Sequence, residues 1–225
     1  MVPTKKLELI ERKIQNNCLA CKGEGCGDCK SKSSRVKIYA NANIPMDYWL
    51  LAFKDFKGDP EFKNQILTKL ANIDEMYELG RSLAFVGNFG VGKTYAACCI
   101  LKTALVAGYS GKYLQMSEVV NNLVSSKSDN SEYLDDLVNL DFLVLDEFGK
   151  RSIFPSDKTE QLFGQTLEYV IRSRFQNHMP TILCSNTEDI DDVLSGDFSR
   201  AFSSLRSRYL KIIVVGGKDF RKSGV

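Results

Sequence analysis

The stretch from Gly87 to Thr94, GNFGVGKT, has the form G-x-x-x-x-G-K-T. Gly87, Gly90 and Gly92 allow a short loop to curl until successive backbone N–H groups converge, and such a cradle binds phosphate oxygens at the start of a helix. A lysine at the end of the loop reaches the outer phosphates of a nucleotide, and the next hydroxyl ligates Mg2+; these are the expected roles of Lys93 and Thr94. Asn88, Phe89, Val91 and Tyr95 complete the candidate binding stretch.

The same chemistry needs carboxylates at the end of another strand. In DFLVLDE, Asp146 follows an apolar run, placed to hold Mg2+, and Glu147 is placed to polarise an attacking water. Either acid alone could be an ordinary strand-end residue; with the loop they specify ATP hydrolysis. Asn186, just beyond the run TILCS, is positioned to orient that water, unless it is simply a turn residue. Arg206 and Arg208 precede the last apolar run and could reach the γ-phosphate of a neighbouring subunit, or could be solvated arginines.

A second chemistry sits near the N-terminus. Cys18, Cys21, Cys26 and Cys29 form two C-x-x-C pairs separated by KGEG. Two such turns can close a tetrahedral four-thiolate shell suited to structural Zn2+, with an iron–sulfur cluster or redox thiols as alternatives. The N-terminus lacks the apolar core of a secretory signal, and no apolar run approaches the roughly 18 residues of a spanning helix. A cytoplasmic, reducing setting is therefore expected, and there paired cysteines bind metal more readily than they form disulfides.

The elements that must position these residues follow from periodicity. Apolar runs at 82–86, 112–116, 141–145, 181–185 and 209–215 fit strands buried on both faces, and their spacing leaves room for crossover helices. The expected fold is α/β with a five-stranded parallel sheet. Within TEQLFGQTLEYVIRSRF, residues Leu162, Phe163, Leu167, Val170, Ile171 and Phe175 form one helical stripe directed at the core. Cys98 and Cys99 fall within an apolar helix after the phosphate loop. Leu7, Ile10 and Ile14 suggest a short amphipathic helix before the cysteines, and residues 31–47 read as a polar linker with a short extended piece.

This divides the chain into a metal module with its linker at 1–40 and an ATPase domain at 41–225. Residues 1–37 hold nine Lys or Arg against four acids, so of the total charge of +2 the head carries +5 and the rest −3. A basic head on a mildly acidic body suits an acidic partner, nucleic acid or protein, or is a solvated arm.

Taken together, GNFGVGKT, FLVLDE, CSN and SLRSRY, in that order, resemble the Walker A, Walker B, sensor 1 and finger-arginine motifs of the AAA+ ATPases. Within that group the chain resembles the bacterial and phage replicative-helicase loaders of the DnaC type, over about residues 44–222 and opening with IPMDYW. Only about ten residues follow the last run, as in the loaders, so no C-terminal lid domain is expected and turnover should be weak. The resemblance implies self-association through the nucleotide sites, single-stranded DNA along the interior, and a replicative helicase as partner; no membrane is implied. Candidate DNA-phosphate contacts are Lys127, Lys150 and Arg151. Transposase-helper ATPases of the IstB type resemble the same core, and a DNA-associated accessory ATPase is the alternative. A small-molecule kinase fits less well, because kinases close a lid over their acceptor.

Overall fold

The computed structural model describes residues 4–125, 130–148, 157–187, 210–217 and 219. The chain divides into two compact units, Met1–Leu51 and Ala52–Val225.

The first unit is a helical hairpin bent around the cysteines. Helix α1 (Thr4–Asn16) packs on α2 (Gly27–Asn41), burying Ile14 from the first and Cys29, Val36 and Tyr39 from the second. Lys37 pairs with Glu11 at 3.1 Å on the exposed side. The linker expected at 31–47 is therefore mostly helix. Its serines and lysines misled the composition argument: 29, 36 and 39 share one helical face, and one docked face suffices to hold a helix whose other faces are polar. After α2 the chain turns, and Trp49, buried, donates its indole N–H to the Ile44 carbonyl at 2.8 Å.

The second unit opens with α3 (Pro60–Ala71) and α4 (Ile73–Glu78). Asp59 caps α3 by accepting the Phe62 N–H at 2.6 Å, and Pro60 sits at the first helical position, where its missing N–H costs nothing. Then follow β1 (Ser82–Val86), α5 (Lys93–Ala107), β2 (Gly111–Gln115), α6 (Met116–Ser125), α7 (Ser131–Asn139), β3 (Phe142–Asp146), α8 (Asp157–Gln176), β4 (Thr181–Ser185) and β5 (Leu210–Val214).

All five strands run parallel, in the order β2-β3-β4-β1-β5. The central strands β3, β4 and β1 are buried at every position, whereas β2 and β5, at the edges, are partly exposed. This is why three runs read as unbroken apolar strings: helices cover both faces. On one face α5 lies across β2, β3 and β4; on the other, α6, α7 and α8 enclose Ala84, Val86, Leu143, Leu145 and Leu183. Val170, Ile171 and Phe175 of the predicted α8 stripe are buried there; the side chains of Leu162, Phe163 and Leu167 lie outside the described residues. Cys98, Cys99 and Cys184 are core thiols, and burial pushes each of them up, Cys99 to about 11.

At the edge of the sheet where strands begin, Arg174 of α8 is fully buried. It donates to the carbonyls of Leu137, Val138, Leu140, Asp141 and Pro180 and to the Thr181 hydroxyl, at 2.6–3.4 Å. Burial lowers its pKa to about 9, which still leaves it cationic at neutral pH. One guanidinium thus gathers the carbonyls where α7 ends and where β3 and β4 begin.

Candidate functional site

The register of the sheet brings the candidate residues to one edge. Val86 pairs with Ser185, Gln115 with Asp146 and Val86 with Val214, so the exits of all five strands lie side by side. In open α/β sheets that edge is where ligands bind.

The loop from Gly87 to Gly92 joins β1 to α5 with positive φ at Gly87, Gly90 and Gly92, of 141°, 77° and 97°. Each of the three is also hemmed in. A Cβ on Gly87 would meet the Val215 carbonyl, one on Gly90 the Asp219 carboxylate, and one on Gly92 the Phe56 ring. The Gly87 N–H donates to the Thr187 carbonyl at 3.0 Å, binding the loop to the end of β4, where Asn186 is half-buried beside it. Phe89 stands exposed at the loop's tip, while Val91 is buried beneath it. Tyr95 commits its side chain to packing: its hydroxyl donates to the Ala52 carbonyl at 2.7 Å, its ring meets Phe53 and Phe56, and burial pushes its phenol up to about 12.

Lys93 is buried and folds back over the loop, donating to the carbonyls of Gly87 at 2.7 Å and Asn88 at 2.6 Å. The cradle therefore already carries a desolvated cation at its centre, which is what an incoming phosphate requires.

Thr94 and Asp146, 52 positions apart, meet: the Thr94 hydroxyl donates to Asp146 Oδ2 at 2.9 Å. Hydroxyl and carboxylate at that separation are hard oxygen donors of the kind Mg2+ takes alongside phosphate and water, so the pair fits the ion. Glu147 follows with φ 58°, a left-handed conformation uncommon for a side chain of this size, and its own N–H donates to Asp146 Oδ1 at 2.8 Å. The Phe148 N–H, bonded to the Cys184 carbonyl at 2.8 Å, fixes the strand exit just past it.

The sequence reading missed three neighbours. Tyr113 of β2, buried, donates its hydroxyl to Asp146 Oδ2 at 2.6 Å, and burial together with the Asp146 charge pushes its phenol up. Asp219 and Phe56 press on the loop glycines. Only the in-register strand pairing could have pointed to Tyr113, because in sequence it is one more aromatic in a strand. Arg206, Arg208, Lys127, Lys150 and Arg151 lie outside the described residues.

In the first unit Cys18, Cys21, Cys26 and Cys29 bring their four sulfurs within 4.8 Å of one another. Sulfurs 18 and 26 are 3.8 Å apart, 21 and 29 are 3.6 Å apart, and 26 and 29 are 3.8 Å apart. A tetrahedron with Zn–S bonds of about 2.3 Å has edges of about 3.8 Å, so the donor set fits Zn2+ in both chemistry and size. Gly23 and Gly25, at φ 101° and 84°, make the turn between the pairs. Cys26 is the N-cap of α2, with Cys29 in its first turn. Without metal, backbone N–H donors of Cys21 and Ala20 lower the Cys18 thiol to about 6. Cys29, despite a backbone donor from Cys26, is pushed up to about 12 by burial and by its thiol neighbours.

Among the described residues no helix is long and apolar enough to cross a membrane. The chain is similar to the replicative helicase loader DnaI of Bacillus subtilis, 28% identical over 109 residues, which is 48% of this chain and 33% of that protein. The match thus spans about a third of the relative's length. The crystal structure of DnaI superposes with a TM-score of 0.63 at 20% identity, covering 78% of this chain and 93% of that one. The crystal structure of the DnaC helicase loader gives 0.62 at 22%, covering 76% and 100%. The replication initiator DnaA bound to AMPPCP and single-stranded DNA gives 0.58 at 20%, covering 76% and 50%. These likenesses establish an AAA+ fold. With residues 30–201 matching the family described as IstB-like ATP binding protein, the chain belongs to that ATP-binding family.

Proposed function

We propose that the chain hydrolyses ATP and uses its nucleotide state to load a replicative DNA helicase onto single-stranded DNA during replication initiation. The observation that carries the ATPase reading is the Thr94–Asp146 contact of 2.9 Å, formed across 52 positions at the mouth of the phosphate loop. The loader reading is supported by the likeness to DnaI and DnaC.

In this reading the loop N–H groups from Gly87 to Thr94 hold the phosphates and Lys93 exchanges its loop carbonyls for phosphate oxygens. Thr94 and Asp146 hold Mg2+, which supplies charge neutralisation on the phosphate oxygens. Glu147 accepts the proton of the attacking water and Asn186 orients that water. Arg206 and Arg208 complete the site of a neighbouring copy. The zinc head, with its charge of +5 against −3 for the remainder, selects the partner; residues 1–40 serve that task and 41–225 the nucleotide chemistry. Lys127, Lys150 and Arg151 contact the DNA backbone.

The family match itself favours a second reading, an IstB-like transposase helper or another DNA-associated accessory ATPase. Affinity capture from host lysate, with intact protein and the Cys26→Ser/Cys29→Ser variant, separates the two. Recovery of the replicative helicase by intact protein alone is the expected result. Recovery of a transposase without helicase would replace the loader reading and leave the nucleotide chemistry in place.

A further inference from the structure

Asp146 is held by more than the residues that bind nucleotide. The residue is 7% exposed, and three donors close around its carboxylate. Oδ1 accepts the Glu147 N–H at 2.8 Å; Oδ2 accepts the Thr94 hydroxyl at 2.9 Å and the Tyr113 hydroxyl at 2.6 Å. Tyr113 pairs with Val144, two residues before Asp146 in β3, so both side chains rise from the same face of the sheet. A tyrosine is long enough to span that diagonal and end on the carboxylate, whereas the residue directly opposite Asp146, Gln115, is exposed.

The three donors differ in what they can do when Mg2+ binds. The Thr94 hydroxyl is itself a candidate ligand, and the Glu147 N–H belongs to a backbone turn already at φ 58°. Tyr113 alone is a buried side-chain donor, 3% exposed, reaching in from the edge strand β2. Mg2+ demands near-ideal octahedral geometry, so a freely rotating carboxylate in its shell would be a poor partner. Donors standing behind such ligands typically carry 10- to 100-fold in metal affinity or activity.

We propose that Tyr113 is a positioning residue for the metal half of the nucleotide site: it locks the Asp146 carboxylate in the orientation that receives Mg2+. This rests on the ATPase reading above. The position asks for an aromatic ring to fill the space under α5 and a para donor to reach Oδ2; phenylalanine meets only the first demand.

The test uses the full, zinc-loaded chain and Mn2+ as a paramagnetic stand-in, with free Mn2+ read by electron paramagnetic resonance in the presence of a non-hydrolysable ATP analogue. Tyr113→Phe should keep its melting temperature near that of the parent and bind the analogue alone with unchanged affinity, while half-saturation by Mn2+ rises about 10-fold. Tyr113→4-aminophenylalanine, which restores a para donor, should recover part of that loss. Tyr109→Phe, a surface tyrosine bonded to Asp74, should change nothing. A folded Tyr113→Phe protein with parental Mn2+ affinity overturns the proposal. If Tyr113→Phe melts below the assay temperature, Tyr113→4-fluorophenylalanine, which fills the para position without a donor, decides it: a rise of about 10-fold in half-saturation supports the proposal, and parental affinity overturns it. If the parent chain itself binds no Mn2+–nucleotide, the ATPase reading falls instead, so the two failures are distinguishable.

Discussion

The carboxylate of Asp219 occupies the place that a Cβ on Gly90 would need. With φ 77°, Gly90 is closed to side chains twice over, by its own backbone and by the segment that follows β5. Gly90→Ala should lose about 1–2 kcal/mol of stability to the left-handed backbone alone, and more to the contact, together with most of its nucleotide binding. Adding Asp219→Ala should return only the contact part. Urea midpoints of the single and double variants check this; parental stability in the single variant would show that the loop can relax around a methyl group.

Lys93 lies over the loop that carries it, held at 2.7 Å by the Gly87 carbonyl. Lys93→Met keeps the apolar stem and removes the charge, so binding of a fluorescent ATP analogue should weaken about 10- to 100-fold, the worth of one or two charge-assisted hydrogen bonds. Glu147→Gln should do the reverse, leaving binding intact while hydrolysis falls at least about 100-fold. Equal affinity for Lys93→Met and the parent would remove this lysine from phosphate binding.

Arg174 should matter for folding and not for nucleotide. Arg174→Met leaves five carbonyls and the Thr181 hydroxyl without their shared donor at the far edge of the sheet. A loss of about 3 kcal/mol or more is expected in equilibrium unfolding, with unchanged ATP affinity in the fraction that remains folded. Arg174→Lys should recover little, since one ammonium cannot reach the span of acceptors that the planar fork does.

Chelation should separate the two units. If the four thiols hold Zn2+ as proposed, removing it leaves a head of helices α1 and α2 whose shared core is Ile14, Cys29, Val36 and Tyr39, too few apolar residues to hold it. Far-ultraviolet circular dichroism should lose helical signal and the four thiols should become titratable, while the melting of the second unit and its ATP binding stay in place. Re-addition of Zn2+ should restore both signals. A head that keeps its helicity without metal would make the cluster dispensable for structure.

What could be read from the chain divides along local and non-local lines. The phosphate loop, the strands and the cysteine pairs were legible because their chemistry is written in consecutive residues: a glycine spacing, an unbroken apolar run, a C-x-x-C turn. The strand runs differ from the observed strands by one residue at most edges, as for 112–116 against Gly111–Gln115. Tyr113 was not legible, because its partner is 33 positions away and only the in-register parallel pairing brings them together. Arg174 was not singled out either, because its burial depends on carbonyls supplied by elements that end far from it in sequence. Helix α2 was hidden by its polar composition, since a helix needs only one face to dock.

The strand order has a consequence for how the chain is made. Ser82–Val86 forms the heart of the sheet, yet both of its neighbours, Thr181–Ser185 and Leu210–Val214, are synthesised after it. At about 5–20 residues per second, β1 waits on the order of 5–20 s on the ribosome before β4 emerges, with a strand destined for full burial and the helix behind it unsheltered. Meanwhile β2 and β3 can pair with each other as soon as both are out; β4 then bridges that pair to β1 at the centre, and β5 closes the far edge last. Such long-range parallel closure is slow, and newly made chains that have not reached residue 181 are the population most exposed to aggregation and most in need of a chaperone.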